Sequence, residues 1–196
     1  MIDNRKAAEF FDRLSDGWDE KNVQNGEVIE KILDLAGIEA GTSVLDVGCG
    51  TGLLIPKYLE RKTALVTAVD ISRGMIAKAK EKYGKTGVLF LAADAAVYPY
   101  GRRFDRIVIY NAFPHFSDPP TLLAHLAQHL EEDGILTVAH GASRAVIDAC
   151  HQNALEVSNV LPDIDGLSRL LPDSLEVICA ISDGEKYVLT ARRRKN

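Results

Sequence analysis

The chain has 196 residues, a length that holds roughly one domain of ordinary size. Hydrophobic residues make up 46% and charged residues 26%, which excludes a mainly disordered chain and suffices for a core. With 23 Lys and Arg against 28 Asp and Glu the net charge is −5, so nothing draws the chain to nucleic acid or an anionic membrane. The one basic run, Arg192-Arg193-Arg194-Lys195, reads as a solvated tail.

The first ten residues are charged and lack the apolar stretch of a secretory signal, and no segment approaches the ~18 apolar residues of a membrane span. The cysteines Cys49, Cys150 and Cys179 are odd in number and far apart, which gives no disulfide framework. These features predict a cytoplasmic protein. In chain order, Ala7, Phe10, Phe11 and Leu14 fall at helical spacing, as do Val28, Ile29, Ile32, Leu33 and Ala36, with Gly37 as a stop. Between them lies a polar break, Ser15 to Asp19, that holds the only Trp.

From Thr42 short apolar runs alternate with helical segments. Strands are expected over Ser43–Val47, Ala64–Val69, Val88–Ala92, Arg106–Tyr110 and Ile135–Ala139. The intervening helices include Leu53–Glu60, one that presents Met75, Ile76, Ala79 and Tyr83 and stops at Gly84, and one that starts at Pro119. That last helix carries an apolar face as far as Leu130 and is expected to stop at Gly134. Another is expected to begin near Ser143, with Arg144, Ile147 and His151 on one face. Two final strands, Leu175–Ile181 and Lys186–Ala191, flank the turn Ser182-Asp183-Gly184-Glu185. The pattern predicts a doubly wound, mostly parallel, seven-stranded α/β sheet with helices on both faces and a C-terminal antiparallel hairpin.

Ligands of such a sheet bind beyond the carboxyl ends of its strands, where strand order reverses. That rule selects Asp46–Gly52, Asp70-Ile71, Asp94-Ala95, Asn111–His115 and His140–Arg144. Val44-Leu45-Asp46-Val47-Gly48-Cys49-Gly50-Thr51-Gly52 runs from strand through glycine-rich turn into helix. Glycines at alternate positions let a ligand approach the backbone, and the helix start favours an anion. Asp70 ends the next strand at a spacing suited to a ribose, and the competing reading makes it a cap of the helix at Ser72–Lys78.

The VLDVGCGTG turn, that aspartate, the Phe-Leu-Ala-Ala-Asp-Ala segment and the strand Phe-Asp-Arg-Ile-Val-Ile-Tyr-Asn together resemble a class I S-adenosylmethionine-dependent methyltransferase. The likeness is to the small single-domain branch that includes ubiquinone- and menaquinone-biosynthesis-type enzymes, and it covers roughly Phe10 to Gly141. It implies a Rossmann-like fold and one domain over 1–196: a helical lid (1–40), a cofactor-binding core (41–141), acceptor-side helices (142–174) and a closing hairpin (175–192). It also implies S-adenosylmethionine as cofactor. Gly48, Gly50 and Gly52 would pass under its amino-acid end, Asp46 would meet its ammonium, and Cys49 is a small turn residue rather than a nucleophile. Asp70 would hold the ribose, with Ile71 and Met75 against the adenine; Asp94 and Ala95 would bind the adenine edge. Asn111 would face the sulfonium. Trp18, beside Asp19, is either part of the lid or a core aromatic.

Departures from related patterns narrow the chemistry. The segment Asn111-Ala112-Phe113-Pro114 lacks the proline-containing aromatic tetrapeptide of amide and ring-nitrogen methyltransferases, which argues against DNA or glutamine acceptors. The spacing Gly48-x-Gly50-x-Gly52 misses the dehydrogenase fingerprint GxGxxG, so an NAD-dependent oxidoreductase is a distant third reading. His115 and His140 are the candidate general bases, each with a plain structural alternative, and Arg144 and His151 are candidate acceptor-binding residues. His125 and His129 lie four apart but lack a third ligand; no metal is expected, and they read as solvent-facing. The expected function is methyl transfer to a small-molecule acceptor by a monomer or homodimer. The alternative is a non-catalytic sensor or complex subunit that binds the same cofactor.

Overall fold

The computed structural model of the chain describes residues 2–151 and 156–195, His151 by its backbone alone. Three helices come first, α1 (Asn4–Leu14), α2 (Trp18–Lys21) and α3 (Gly26–Leu35). Then follow β1 (Ser43–Val47), α4 (Ile55–Glu60), β2 (Leu65–Asp70), α5 (Arg73–Tyr83), β3 (Leu89–Ala92), β4 (Phe104–Tyr110) and a 3-10 turn at Phe113–His115. The chain continues with α6 (Pro119–Gln128), β5 (Leu130–His140), α7 (Arg144–His151) and α8 (Ile164–Leu170), and ends in the hairpin β6 (Leu175–Ser182) and β7 (Tyr187–Arg193).

The seven strands form one sheet in the order β3-β2-β1-β4-β5-β7-β6. The first five are parallel, while β7 pairs antiparallel with both β5 and β6. Alternate residues of the central strands feed two cores. Leu45, Val47, Ile107 and Ile109 pack with Leu122, Leu123 and Leu126 of α6, while Val44 and Val108 pack with Ile32 and Leu33 of α3, Tyr58 of α4 and Ile76 of α5. Burial on both faces explains why these strands read as continuous apolar runs.

Local chemistry sets the helix boundaries. Asp3, Asn25, Ser72, Asp118 and Asp163 each cap a helix by accepting a first-turn amide. Ser72 rather than Asp70 caps α5, its hydroxyl accepting from Met75 N at 3.0 Å. The short helix α8 has too few apolar positions to announce itself, and only the cap Asp163 hints at it.

One expected element changes identity. The helical face does not run on to Gly134: α6 ends at Gln128, and Leu130 already belongs to β5. Leu130 pairs with Phe104 and Ile135 with Arg106, so residues 131–134 bulge out opposite Asp105 alone. Gly134 closes that bulge; a Cβ there would lie 2.6 Å from Leu130 Cγ and 2.9 Å from the Glu131 carbonyl oxygen. His125 and His129 also differ from expectation. They are half-buried, meet edge to face at 4.8 Å and anchor the β3–β4 connection at the carbonyls of Tyr98 and Arg102.

Gly134→Ala is therefore expected to destabilise the protein by about 2 kcal/mol, lowering Tm by roughly 4–8 °C. Gly26→Ala, where a Cβ meets nothing within 4 Å at a helix start, should be neutral or stabilising by up to about 1 kcal/mol. Urea denaturation of the two variants checks both signs, and equal effects would refute the account of the bulge.

Candidate active site

A cleft of about 970 Å³ opens beyond the carboxyl ends of the parallel strands, at the β1/β4 boundary where the strand order reverses. Its floor is the turn after β1. Gly48 N and Cys49 N both donate to the Val69 carbonyl, at 2.8 and 3.1 Å, and Gly50 N donates to Asp70 Oδ2 at 2.9 Å. Gly48 has φ +69°, and a Cβ on it would lie 2.5 Å from Ala112 Cβ, so only glycine lets this turn pass under the β4 loop.

Asp46 points into this region from β1. It is 2% exposed, and its Oδ2 has no hydrogen-bond partner among the described residues. Burial, with the nearby Asp70 charge, pushes its carboxyl up to about 8. Asp70 is raised too, chiefly by burial, although its oxygens accept from Gly50 N and from Ser72 N at 2.8 Å. Cys49 is buried between them; burial first, then the two carboxylates, holds its thiol well above the usual value, so it is no nucleophile. An unpartnered buried carboxylate beside an open cleft fits a cationic ligand group.

Ile71, Met75 and Ala95 line the same end of the cleft, as does Asp94. Asp94 accepts from Ala96 N at 2.9 Å and from Asn4 Nδ2 at 2.8 Å. Gly52 does not line it. Its φ of +88° and the 3.0 Å distance from a built Cβ to Tyr83 Cδ2 make it a packing glycine beneath α5, so its expected ligand role is not supported.

The N-terminal helices cover this half through side-chain latches. Asp12 Oδ1 accepts from Ser72 Oγ at 2.6 Å and Gly74 N at 2.8 Å, which holds its carboxyl below the ordinary range. Asp19 accepts from Thr51 Oγ1 and from Lys82 Nζ. Burial raises Asp19, but the bonds from Lys82 and Thr51 outweigh it. Trp18 lines the cleft edge-on to Phe11, at 5.8 Å. Of these latches the sequence points only to Asp19, through its place beside Trp18 in the expected lid; Asp12 and Asn4 show only as polar residues on an amphipathic helix.

Over β4 and β5 the lining changes character. Asn111 adopts φ +52°, a strained value that Asn tolerates better than most residues. Its side chain donates to Gln24 Oε1 at 3.0 Å and accepts from Gly141 N at 3.0 Å, tying the lid to both strand ends. His115 lies edge-on to Phe11 at 4.9 Å, with Nδ1 2.9 Å from both the Val157 carbonyl and Ser158 Oγ. A carbonyl can only accept, so Nδ1 carries a proton and the lone pair of the neutral ring belongs to Nε2. His140 is buried at the end of β5, edge-on to Tyr187.

Arg144 is not in the cleft lining. Its Nε donates to the Leu161 carbonyl at 2.9 Å and lies 3.6 Å from Asp148 Oδ2. The face of α7 that meets the cleft is Val146, Ile147 and Cys150, so the expected grouping of Arg144 with Ile147 picked the wrong stripe of the helix. The side chain of His151 lies outside the described residues.

Residues 44–134 match a family model described as a methyltransferase domain. Over 139 residues the chain is 30% identical to the malonyl-acyl-carrier-protein O-methyltransferase of Acetivibrio thermocellus, covering 69% of this chain and 49% of that one. It is 29% identical over 135 residues to the (S)-coclaurine N-methyltransferase of Thalictrum flavum subsp. glaucum, covering 68% and 37%. The chain thus spans about half the length, or less, of these curated relatives. The N-methyltransferase NodS of Bradyrhizobium japonicum WM9, solved with S-adenosyl-L-homocysteine, superposes with a TM-score of 0.74 at 18% identity, covering 98% of this chain and all of that one. Its fold is the same. With the domain match over residues 44–134, these relatives and the shared fold, the chain belongs to the class I S-adenosylmethionine-dependent methyltransferases.

Proposed function

We propose that this protein binds S-adenosylmethionine and transfers its methyl group to a small-molecule acceptor. The observation that carries the reading is Asp46 Oδ2, a buried carboxylate oxygen left without a partner beside the glycine turn. The donor's ammonium would supply that partner. Asp70 retains a lone pair on each oxygen for the ribose hydroxyls, and Asp94 retains the same for the adenine amino group. Ile71 and Met75 would flank the adenine, Ala95 would present its amide, and Asn111 would face the sulfonium. Relatives named for a malonyl carrier and for coclaurine support oxygen or nitrogen acceptors. The charge of −5 supports a small molecule over nucleic acid, and three free cysteines with no disulfide among the described residues fit a cytoplasmic setting.

Bound S-adenosylmethionine supplies a methyl group already activated by a positive sulfur. What remains for the chain is to orient the acceptor, exclude water and take up a proton. Residues 1–40 serve as the lid, through the Asp12, Asp19 and Gln24 latches. His115, which lines the cleft with its Nδ1 held at Val157 and Ser158, is the first candidate to take up the acceptor's proton, and His140 is the second. This base is what separates the enzyme from a sensor that only holds the cofactor.

Two measurements test the reading. With its carboxyl pushed up to about 8, Asp46 is protonated in the ligand-free protein at pH 7. Binding an ammonium requires the carboxylate, so calorimetry at pH 6–7 in buffers of different ionisation enthalpy should show about one proton released per S-adenosylmethionine bound. Affinity should rise up to about tenfold per pH unit and level off above pH ~8. The linkage to stability runs the other way: a carboxyl whose value is raised from ~3.9 stabilises the free fold fully below pH ~4 and loses that contribution as pH rises through 8. Asp46→Asn should remove the proton release and weaken binding by roughly thirtyfold. Proton-independent binding would exclude Asp46 as the ammonium site.

For His115→Gln we expect transfer to fall about 10²–10³-fold, with donor affinity unchanged. Unchanged turnover in both His115→Gln and His140→Gln would remove the general-base step.

A further inference from the structure

The distribution of charge around the cleft names the class of acceptor, an inference that rests on the methyltransferase reading and extends it. Asp46, Asp70 and Asp94 belong to the half over β1, β2 and β3. The single lysine or arginine in the lining among the described residues is Lys82, and its ammonium is spent on Asp19 at 2.7 Å. Arg144, the cation of α7, is turned to the Leu161 carbonyl and Asp148. Over β4 and β5 the lining includes the apolar Phe11, Phe116, Val146 and Ile147, the uncharged polar groups of Tyr110, Asn111 and Ser117, and His115 and His140, with Asp118 at its margin. Asp118 is engaged by both oxygens, on Thr121 N and Thr121 Oγ1.

We infer that the acceptor is an uncharged, apolar aromatic molecule that presents a hydroxyl, and that this cleft rejects carboxylic acids. An acid would enter as an anion, shed its water against apolar side chains and find no lysine or arginine left for it among the described residues; an ammonium would find only Asp118, exposed to water at the margin and already held on Thr121. A phenol brings neither charge, and its ring has Phe11 and Phe116 to pack on. In the transfer the hydroxyl oxygen's lone pair forms the new O–CH3 bond. The C–S electron pair returns to sulfur, leaving a neutral thioether, and the hydroxyl proton passes to His115 Nε2.

The test uses matched probes on the full chain saturated with S-adenosyl-L-homocysteine at pH 7.5: 4-propylphenol, 4-propylbenzoate and 4-propylbenzylamine, titrated by calorimetry. The phenol is expected to bind about a hundredfold more tightly than the benzoate and more tightly than the amine. Val146→Arg, on an exposed position of the cleft-facing side of α7, should shift the benzoate-to-phenol affinity ratio toward the benzoate at least about tenfold. A benzoate or amine that binds as well as the phenol, no preference because none of the three binds, or a Val146→Arg variant blind to the benzoate overturns the inference. Failure of S-adenosyl-L-homocysteine itself to bind would instead sink the methyltransferase reading.

Discussion

Three backbone amides of the turn after β1 are spoken for by β2: two converge on the Val69 carbonyl and the third on the Asp70 carboxylate. That arrangement fixes where the chain must go next. It draws Gly48 so close to Ala112 that no side chain fits between them, which sets the β4 loop directly above the turn. It also leaves Thr51 at the start of the next helical turn, where its hydroxyl reaches Asp19 of the lid. The floor, the β4 loop and the lid are thus three consequences of one strand-to-turn contact rather than three separate designs.

The same contact explains why a carboxylate can remain inside without a partner. Asp46 sits on a strand beside Val44, Leu45 and Val47, which are fully buried, so the backbone pairing on both sides carries it inward regardless of its own preference. An unpaired buried acid opposes folding unless it takes up a proton, and its raised value is the thermodynamic trace of that opposition. A residue retained at a cost to the free fold is spent on something the free fold does not contain.

Much of this was legible from the residues, and what escaped has a physical cause. Parallel strands buried on both faces announce themselves as apolar runs, and alternate glycines between strand and helix need an αL backbone, so sheet and turn could be read in outline. Helix faces were harder. On α7, residues 144, 147 and 151 make a stripe on paper, but docking places Val146, Ile147 and Cys150 on the cleft and sends Arg144 to a backbone carbonyl. Leu130 has the right period for helix α6 and the right side chain for a strand; pairing with Phe104 decided the matter. The latches at Asn4, Asp12 and Gln24 join residues 60 to 90 positions apart, and no local pattern encodes such contacts.

Strand order also divides the cleft chemically. The order reverses between β1 and β4, so one half of the opening is built from the ends of β1 to β3 and the other from β4, β5 and α7. The acids proposed for the donor, Asp46, Asp70 and Asp94, all lie on the first side and are held by backbone amides of the core, at Gly50, Ser72 and Ala96, or, for Asp46, by the strand itself. The second side is lined largely by side chains of a helix and a 3-10 turn that bear little of the sheet's hydrogen bonding. Substitution at Val146 or Cys150 can therefore change the pocket's charge and shape without disturbing Asp46 or the glycine turn. A fold so partitioned can hold one donor chemistry fixed while the acceptor varies, which is how O- and N-methyltransferases can both be relatives of a single chain.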